Sequence, residues 1–131
     1  SAGGRAMVAR RAAWVPERQD VIWIDCNPQA EREMRDPHAF LVLSPKTFND
    51  RTSLVIGLPM TTAAYNASNP FAVVAGVAGG RKAGAPSYVL CHQPKSFDWR
   101  TRGGKPHPHK QVSDAVLAEV LLILNQIVQL A

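Results

Sequence analysis

The chain has 131 residues, the size of one domain with one core, and its hydrophobic fraction of 46% is that of a soluble globular protein. Its richest apolar stretch, residues 116–130, is interrupted by Glu119, Asn125 and Gln126, which excludes a membrane span; no signal-peptide pattern is seen, and Cys26 and Cys91 are too few for a disulfide framework, so both are expected as buried thiols in a reducing cytoplasm. The formal charge is +5, and it is unevenly spread: residues 17–50 hold seven acidic side chains, whereas residues 51–110 hold eight Lys or Arg against Asp98 alone, which fits either a polyanion-facing surface or an ordinary solvated basic face.

Residues 1–6 precede Met7 and are read as a remnant ahead of a native start, and residues 1–19 as a flexible arm before a single domain over residues 20–131. Residues 21–24, Val-Ile-Trp-Ile, are β-branched and aromatic and predict a strand ended by Asn27-Pro28. Residues 29–37 are polar and charged and read as a long mobile loop. A second strand is expected over residues 40–43, stopped by Ser44-Pro45, and a turn or single helical turn around Phe48. Residues 53–58 predict a third strand ending at Pro59; residues 63–69 read as a small-residue loop; residues 71–74 predict a fourth strand. The glycine-rich residues 75–86 read as a loop, residues 88–91 as a fifth strand, and the basic, proline-punctuated residues 93–110 as irregular. One helix is plain. Ser113 is an N-cap, Asp114 suits the positive helix end, and Val116, Leu117, Val120, Leu121, Leu124, Ile127 and Val128 recur at helical spacing. Five short strands before one helix predict a mainly β, α+β fold: a curved antiparallel sheet or small barrel.

Five blocks then carry a family resemblance. They are Asp20-Val-Ile-Trp-Ile-Asp25-Cys-Asn-Pro28, Leu41-Val-Leu-Ser-Pro45 with Phe48-Asn49, Leu58-Pro59-Met-Thr61-Thr62, Asn69-Pro70-Phe71, and residues 93–103 with Gln93, Lys95, Ser96, Asp98, Trp99, Arg100 and Arg102. In this order they resemble the MazF/PemK toxins. The resemblance implies a twisted, SH3-like antiparallel barrel with a C-terminal helix (the MazF/PemK/CcdB-like toxin fold) and a homodimer. It implies a toxin–antitoxin endoribonuclease that cuts single-stranded RNA without a metal and inhibits translation, and an acidic cognate antitoxin as partner.

Metal-free cleavage uses the RNA's own 2′-OH as nucleophile, so the protein must supply a base, an acid and donors for the phosphorane, leaving a 2′,3′-cyclic phosphate and a 5′-OH. By the resemblance, Thr61 stands at the active-site threonine. His38, in Pro37-His38-Ala39, stands where the family carries an arginine; imidazole suits proton transfer and is a poorer fixed-charge clamp. Arg35 is then a candidate for the missing guanidinium, and Glu33 for orienting His38 or Arg35. His92 stands where the family has Asp or Asn and is a candidate base, which makes His38 and His92 a candidate acid–base pair. Gln93, Lys95, Ser96, Trp99 and Arg100 are candidates for RNA contact, Trp99 by stacking on a base or, alternatively, by packing in the core. His107-Pro-His109 and Cys91-His92 lack further ligands at metal spacing, and no glycine-rich phosphate loop is present, so no metal or cofactor is expected. Two other readings stay open: a catalytically inactive RNA- or antitoxin-binding module, given His38, and a gyrase-poisoning toxin of the same fold. The C-terminal Val128-Gln-Leu-Ala131 lacks the Trp-Gly-Ile tail that the latter carries.

Overall fold

The computed structural model describes residues 13–26, 37–77 and 84–130. Its strands are β1 (Asp20–Asp25), β2 (Pro37–Val42), β3 (Leu54–Thr61), β4 (Ala72–Val77), β5 (Pro86–Leu90), β6 (Lys95–Asp98) and β7 (Lys105–Gln111). Helix α1 (Lys46–Thr52) lies between β2 and β3, a 3-10 turn (Ala64–Ser68) between β3 and β4, and helix α2 (Asp114–Val128) follows β7. The strands form one seven-stranded sheet in the order β4-β5-β3-β2-β1-β7, with β6 also paired to β3 and every pairing antiparallel. This is the curled antiparallel sheet with a C-terminal helix expected from the sequence.

The sheet is buried on both faces, which is why β1 and β2 read as continuous apolar runs and not as alternating ones. Val21, Leu41, Leu58, Met60, Val73 and Val89 point to one side, where Val116, Leu117, Val120, Leu121 and Leu124 of α2 cover them. Ile22, Ile24, Phe40, Val42 and Val55 point to the other and close around Trp99, Trp14 and Phe97. Helix α2 begins as its sequence predicts: the Ser113 hydroxyl accepts the Val116 N–H at 3.1 Å. Gly57 has a steric task. A Cβ there would stand 1.9 Å from the Leu41 carbonyl oxygen, so only glycine lets β2 and β3 close.

Several expectations are corrected. Residues 13–19 are pinned, since the Pro16 carbonyl accepts from the Asn49 amide at 2.9 Å and the Gln19 N–H donates to the Val42 carbonyl at 2.7 Å; residues 1–12 lie outside the described residues. The loop expected over residues 29–37 falls mostly outside them too, but Pro37 already belongs to β2. Strand β3 runs through Pro59, at the place where its pairing passes from β6 (ending at Gly57) to β5 (starting at Met60). Residues 63–69 contain the 3-10 turn, and β4 continues to Val77. Residues 93–110 contain two strands. Strand β7 holds Pro106 and Pro108 because it is an edge strand, paired only with β1 and with a register shift opposite Asp20 and Ile22.

Candidate active site

Much of the motif material holds the frame together. Asn49 is fully buried; its amide donates to the carbonyls of Pro16 and Ser44, its side-chain oxygen accepts from the Ser44 hydroxyl, and its own carbonyl accepts the Trp99 indole N–H at 2.9 Å. Trp99 is thus a core residue, 6% exposed, with its ring edge-on to Trp14. The reading of Trp99 as a base-stacking contact is corrected: an indole closed in by Ile22, Ile24, Phe40 and Val55 presents no free face. Arg100 covers it, its guanidinium 4.3 Å from the ring centroid and paired to Asp50 at 2.8 Å. Asp98 accepts from the Ser53 hydroxyl and the N–H groups of Arg100 and Thr101; the Ser53 bond first, then the Thr101 N–H, hold its carboxyl below the usual range. Arg102 lies over Phe97 and donates to the Asp25 carbonyl at 3.1 Å. These groups shape the turn after β6.

A different set stands at the end of β3. Thr61 is its last residue and is half-buried; its hydroxyl oxygen accepts the Ala63 N–H at 3.1 Å, which orients the group and leaves the hydroxyl proton available to an incoming acceptor. The β2–β3 ladder pairs Phe40 with Pro59, and two residues further along each strand stand His38 and Thr61. Antiparallel register thereby brings to one end of the sheet two residues 23 positions apart in sequence. His38 pairs with Ile24 of β1 through its backbone, and its exposed imidazole has no hydrogen bond or ion pair among the described residues. Glu33 and Arg35, the other candidates for this end, lie outside the described residues.

His92 sits elsewhere. Between Val89 and Lys95 the chain runs through five residues where β3 has only Leu58 and Pro59, and the excess bulges outward with His92 and Gln93 exposed. The His92 ring lies against Phe71, with centroids 5.5 Å apart and planes 34° apart, and its Nε2 is 3.3 Å from the Gln93 amide nitrogen. Phe71 precedes β4, the strand beyond β5, whereas His38 lies on β2 with β3 between. Among the described residues His38 and His92 are not in contact: β3 lies between β2 and β5, two strand spacings or roughly 10 Å, and the His92 ring is engaged with Phe71. Phe71, 42% exposed, and Tyr65, 78% exposed, are aromatic surface that the sequence reading did not assign to the site. No sequence signal separates them from core aromatics; the turn residues Asn69-Pro70 beside Phe71 are the nearest to one. Lys95 and Ser96 are exposed on β6, opposite Gly57 and Ile56.

Residues 17–128 match the model of the PemK-like, MazF-like toxin of type II toxin–antitoxin systems. The chain belongs to this family. Among similar proteins, the endoribonuclease toxin MazF of Escherichia coli (strain K12) is 35% identical over 97 residues, covering 74% of this chain and 78% of that one. The endoribonuclease PemK of Escherichia coli is 31% identical over 124 residues, 94% and 88% of the two chains. Among solved structures, MazF from Deinococcus radiodurans superposes with a TM-score of 0.71 at 30% identity over 90% of this chain and all of that one, and a MazE–MazF complex from the same organism gives 0.75 at 29% over 91% and 100%.

In this toxin the cysteines stand apart from the chemistry. Cys91 is buried and Cys26 half-buried, neither in a disulfide among the described residues; burial pushes each thiol up to about 11, helped at Cys26 by Asp25 and at Cys91 by Glu119, so neither is a thiolate at neutral pH. His107 is likewise a structural histidine of this MazF-like fold. It is buried, lies 4.4 Å from the Trp23 ring, stacks on His109, and its Nδ1 accepts the His109 N–H at 3.0 Å.

Proposed function

We propose that this toxin is a metal-independent, sequence-specific endoribonuclease of single-stranded RNA whose reaction is centred on Thr61 and His38. The observation that carries this reading is the Thr61 hydroxyl, oriented by the Ala63 N–H with its proton left to donate, at the sheet end it shares with His38. The RNA 2′-oxygen attacks phosphorus as its proton passes to a base, the phosphorane forms, and the bond to the 5′-oxygen breaks as that oxygen takes a proton. Thr61 donates to a non-bridging oxygen as its charge grows, and the exposed His38 imidazole exchanges protons where the family has a fixed charge. Arg35 and Glu33, which lie outside the described residues, are proposed as the supplementary guanidinium and its orienting carboxylate. Lys95, Ser96, Gln93 and Arg100 border the path of the strand; Lys95 attracts phosphate without reading sequence. His92 is given to the substrate's bases, since its ring is engaged with Phe71.

The similar proteins support both the activity and the partner: the Escherichia coli relatives are endoribonucleases, and MazF of Deinococcus radiodurans is solved with MazE. We assign this toxin a cognate acidic antitoxin, a cytoplasmic site of action and growth inhibition through loss of RNA. Among the described residues no helix is long and apolar enough to cross a membrane. We further assign it a homodimer, because Leu122, Ile127, Val128 and Leu130 around the end of α2 and Val74 on β4 are exposed apolar side chains. A monomer mass unchanged across a concentration series in the ultracentrifuge overturns the dimer.

The test of the reaction is incubation of the purified protein with mixed single-stranded RNA in EDTA, followed by analysis of the ends. Discrete fragments with 2′,3′-cyclic phosphate and 5′-OH ends are expected. No cleavage with or without Mg²⁺ points to the binding module instead, and cleavage only with added metal overturns the mechanism.

A further inference from the structure

The 3-10 turn after β3 does more than connect two strands. The Thr61 hydroxyl accepts the Ala63 N–H. The Ala63 carbonyl accepts the Asn66 side-chain amide at 3.1 Å, and the Asn66 side-chain oxygen accepts the Asn69 amide at 3.0 Å. The Asn69 side-chain oxygen accepts the Phe71 N–H at 2.9 Å, and the Phe71 carbonyl accepts the Cys91 N–H at 3.0 Å, one residue before His92. An unbroken chain of hydrogen bonds thus runs from the hydroxyl at the strand end to the ring pair formed by Phe71 and His92. Asn66, its middle link, is only 2% exposed although it lies in a surface turn, so it is held by structure and not by solvent. At the far end, Phe71 keeps an exposed face and the Gln93 amide is held at the edge of the His92 ring.

We propose that Phe71 and His92 form a stacking platform for one base flanking the cut bond, and that Asn66 and Asn69 are positioning residues that fix this platform relative to Thr61 and so set which nucleotide is read. The inference rests on the RNA-cleaving reading above and names where its specificity resides. An aromatic face binds any base; the Gln93 amide, which donates and accepts, supplies the hydrogen bonds that distinguish one base edge from another.

The experiment digests a randomised single-stranded RNA pool with the full chain and with variants, sequencing the cut ends and fitting kcat and KM on the preferred site. Cleavage by the unaltered protein is the control; its absence overturns the function and not the platform. Phe71→Leu, which keeps an apolar side chain and removes the ring, is expected to raise KM by roughly tenfold, the scale of one base stacked on an aromatic side chain, and to flatten the preference at one nucleotide position. Phe71→Tyr is expected to restore both. Asn66→Ala is expected to flatten the same position although it touches no base; because Asn66 is buried, Asn69→Ala, at a half-buried position, is measured beside it with a thermal midpoint for each. A preference unchanged in Phe71→Leu overturns the platform. Equal loss at every position in both asparagine variants, with a lowered midpoint, overturns the positioning role.

Discussion

The region around Asn49 and Trp99 and the region around Thr61 and His38 are both built from motif residues, yet they use them in opposite ways. In the first, each polar atom described above is paired: the Asn49 amide twice, the Asn49 carbonyl with the Trp99 indole, Asp98 with a hydroxyl and two N–H groups. In the second, the Thr61 hydroxyl keeps a proton to give, and His38 and Phe71 present open faces. A polar group that is buried and satisfied has spent its hydrogen bonds on the fold. One left half-satisfied at the rim has them to offer a ligand. The comparison teaches that a sequence block matching a family says where to look, while the bonding state of its atoms says whether the block folds the chain or works on a substrate.

The largest expected effect breaks the two regions apart. Thr61→Val keeps shape and removes the hydroxyl. It is expected to lower the cleavage rate by about 10²–10³-fold, the cost of removing one donor to a developing oxyanion, with a thermal midpoint close to that of the unaltered protein. Unchanged turnover removes Thr61 from the reaction. Gly57→Ala is its opposite: the added Cβ falls 1.9 Å from a backbone oxygen, which cannot swing aside as a side chain does. Overpacking of this kind costs about 3 kcal/mol, so the urea midpoint is expected to fall steeply, and activity to fall only as the folded fraction does.

How legible these regions were follows from the same contrast. Strands β1 to β5 announce themselves through Val, Ile, Phe and Leu, and α2 through its cap and its spacing, because each is buried and burial selects apolar side chains. Strands β6 and β7 do not, since Lys95 and Ser96 are exposed and β7, on an edge, accepts Pro106 and Pro108. Pro59 hid the end of β3 because the partner change on that strand is a property of the sheet and not of the segment. At the candidate site, Thr61 was named through its block. The neighbourhood of Thr61 and His38 depends on the register of β2 against β3, and that of Phe71 and His92 on a bulge between β5 and β6; neither is written in local sequence. The assignment of Trp99 turned on burial, which an aromatic between Asp98 and Arg100 does not disclose.

Trp99→Phe sharpens the first region at lower amplitude. It keeps an aromatic body and removes the bond to the Asn49 carbonyl, leaving a buried acceptor with one partner fewer. A loss of about 1–2 kcal/mol is expected, combining one lost buried hydrogen bond with a small cavity, since the Asn49 carbonyl still accepts the Ser53 N–H, while KM for RNA stays within a factor of two; a selective rise in KM would return Trp99 to the RNA. His38→Arg probes the second region in the same range. If His38 acts by charge, arginine retains activity and flattens the pH dependence of the rate. If it must exchange a proton, arginine fails, because guanidinium stays protonated at any working pH.

The smallest effect is a slope, and it separates the histidines of the two regions. Burial first, and then the neighbouring His109, hold the His107 imidazole below its usual 6.5. Its Nδ1 accepts a backbone N–H, a role that only the unprotonated nitrogen fills. The folded protein therefore takes up this proton later than the unfolded chain as pH falls. Above 6.5 the His107 contribution to stability is complete; it declines as pH drops from 6.5 toward the lower folded value and levels off beneath it. Asp98 acts further into acid: its lowered carboxyl contributes fully above 3.8 and loses that contribution as pH falls below it. The thermal midpoint is expected to drift down between pH 7 and pH 5, and His107→Phe, which retains the ring against Trp23, to remove that drift while leaving the acid loss below pH 4 in place. His107 lies in the frame against Trp23 and not at the end of β3, so His107→Phe should leave the shape of the rate profile as it was. A drift that survives His107→Phe assigns it to another group, and a rate profile that changes with it places His107 in the reaction.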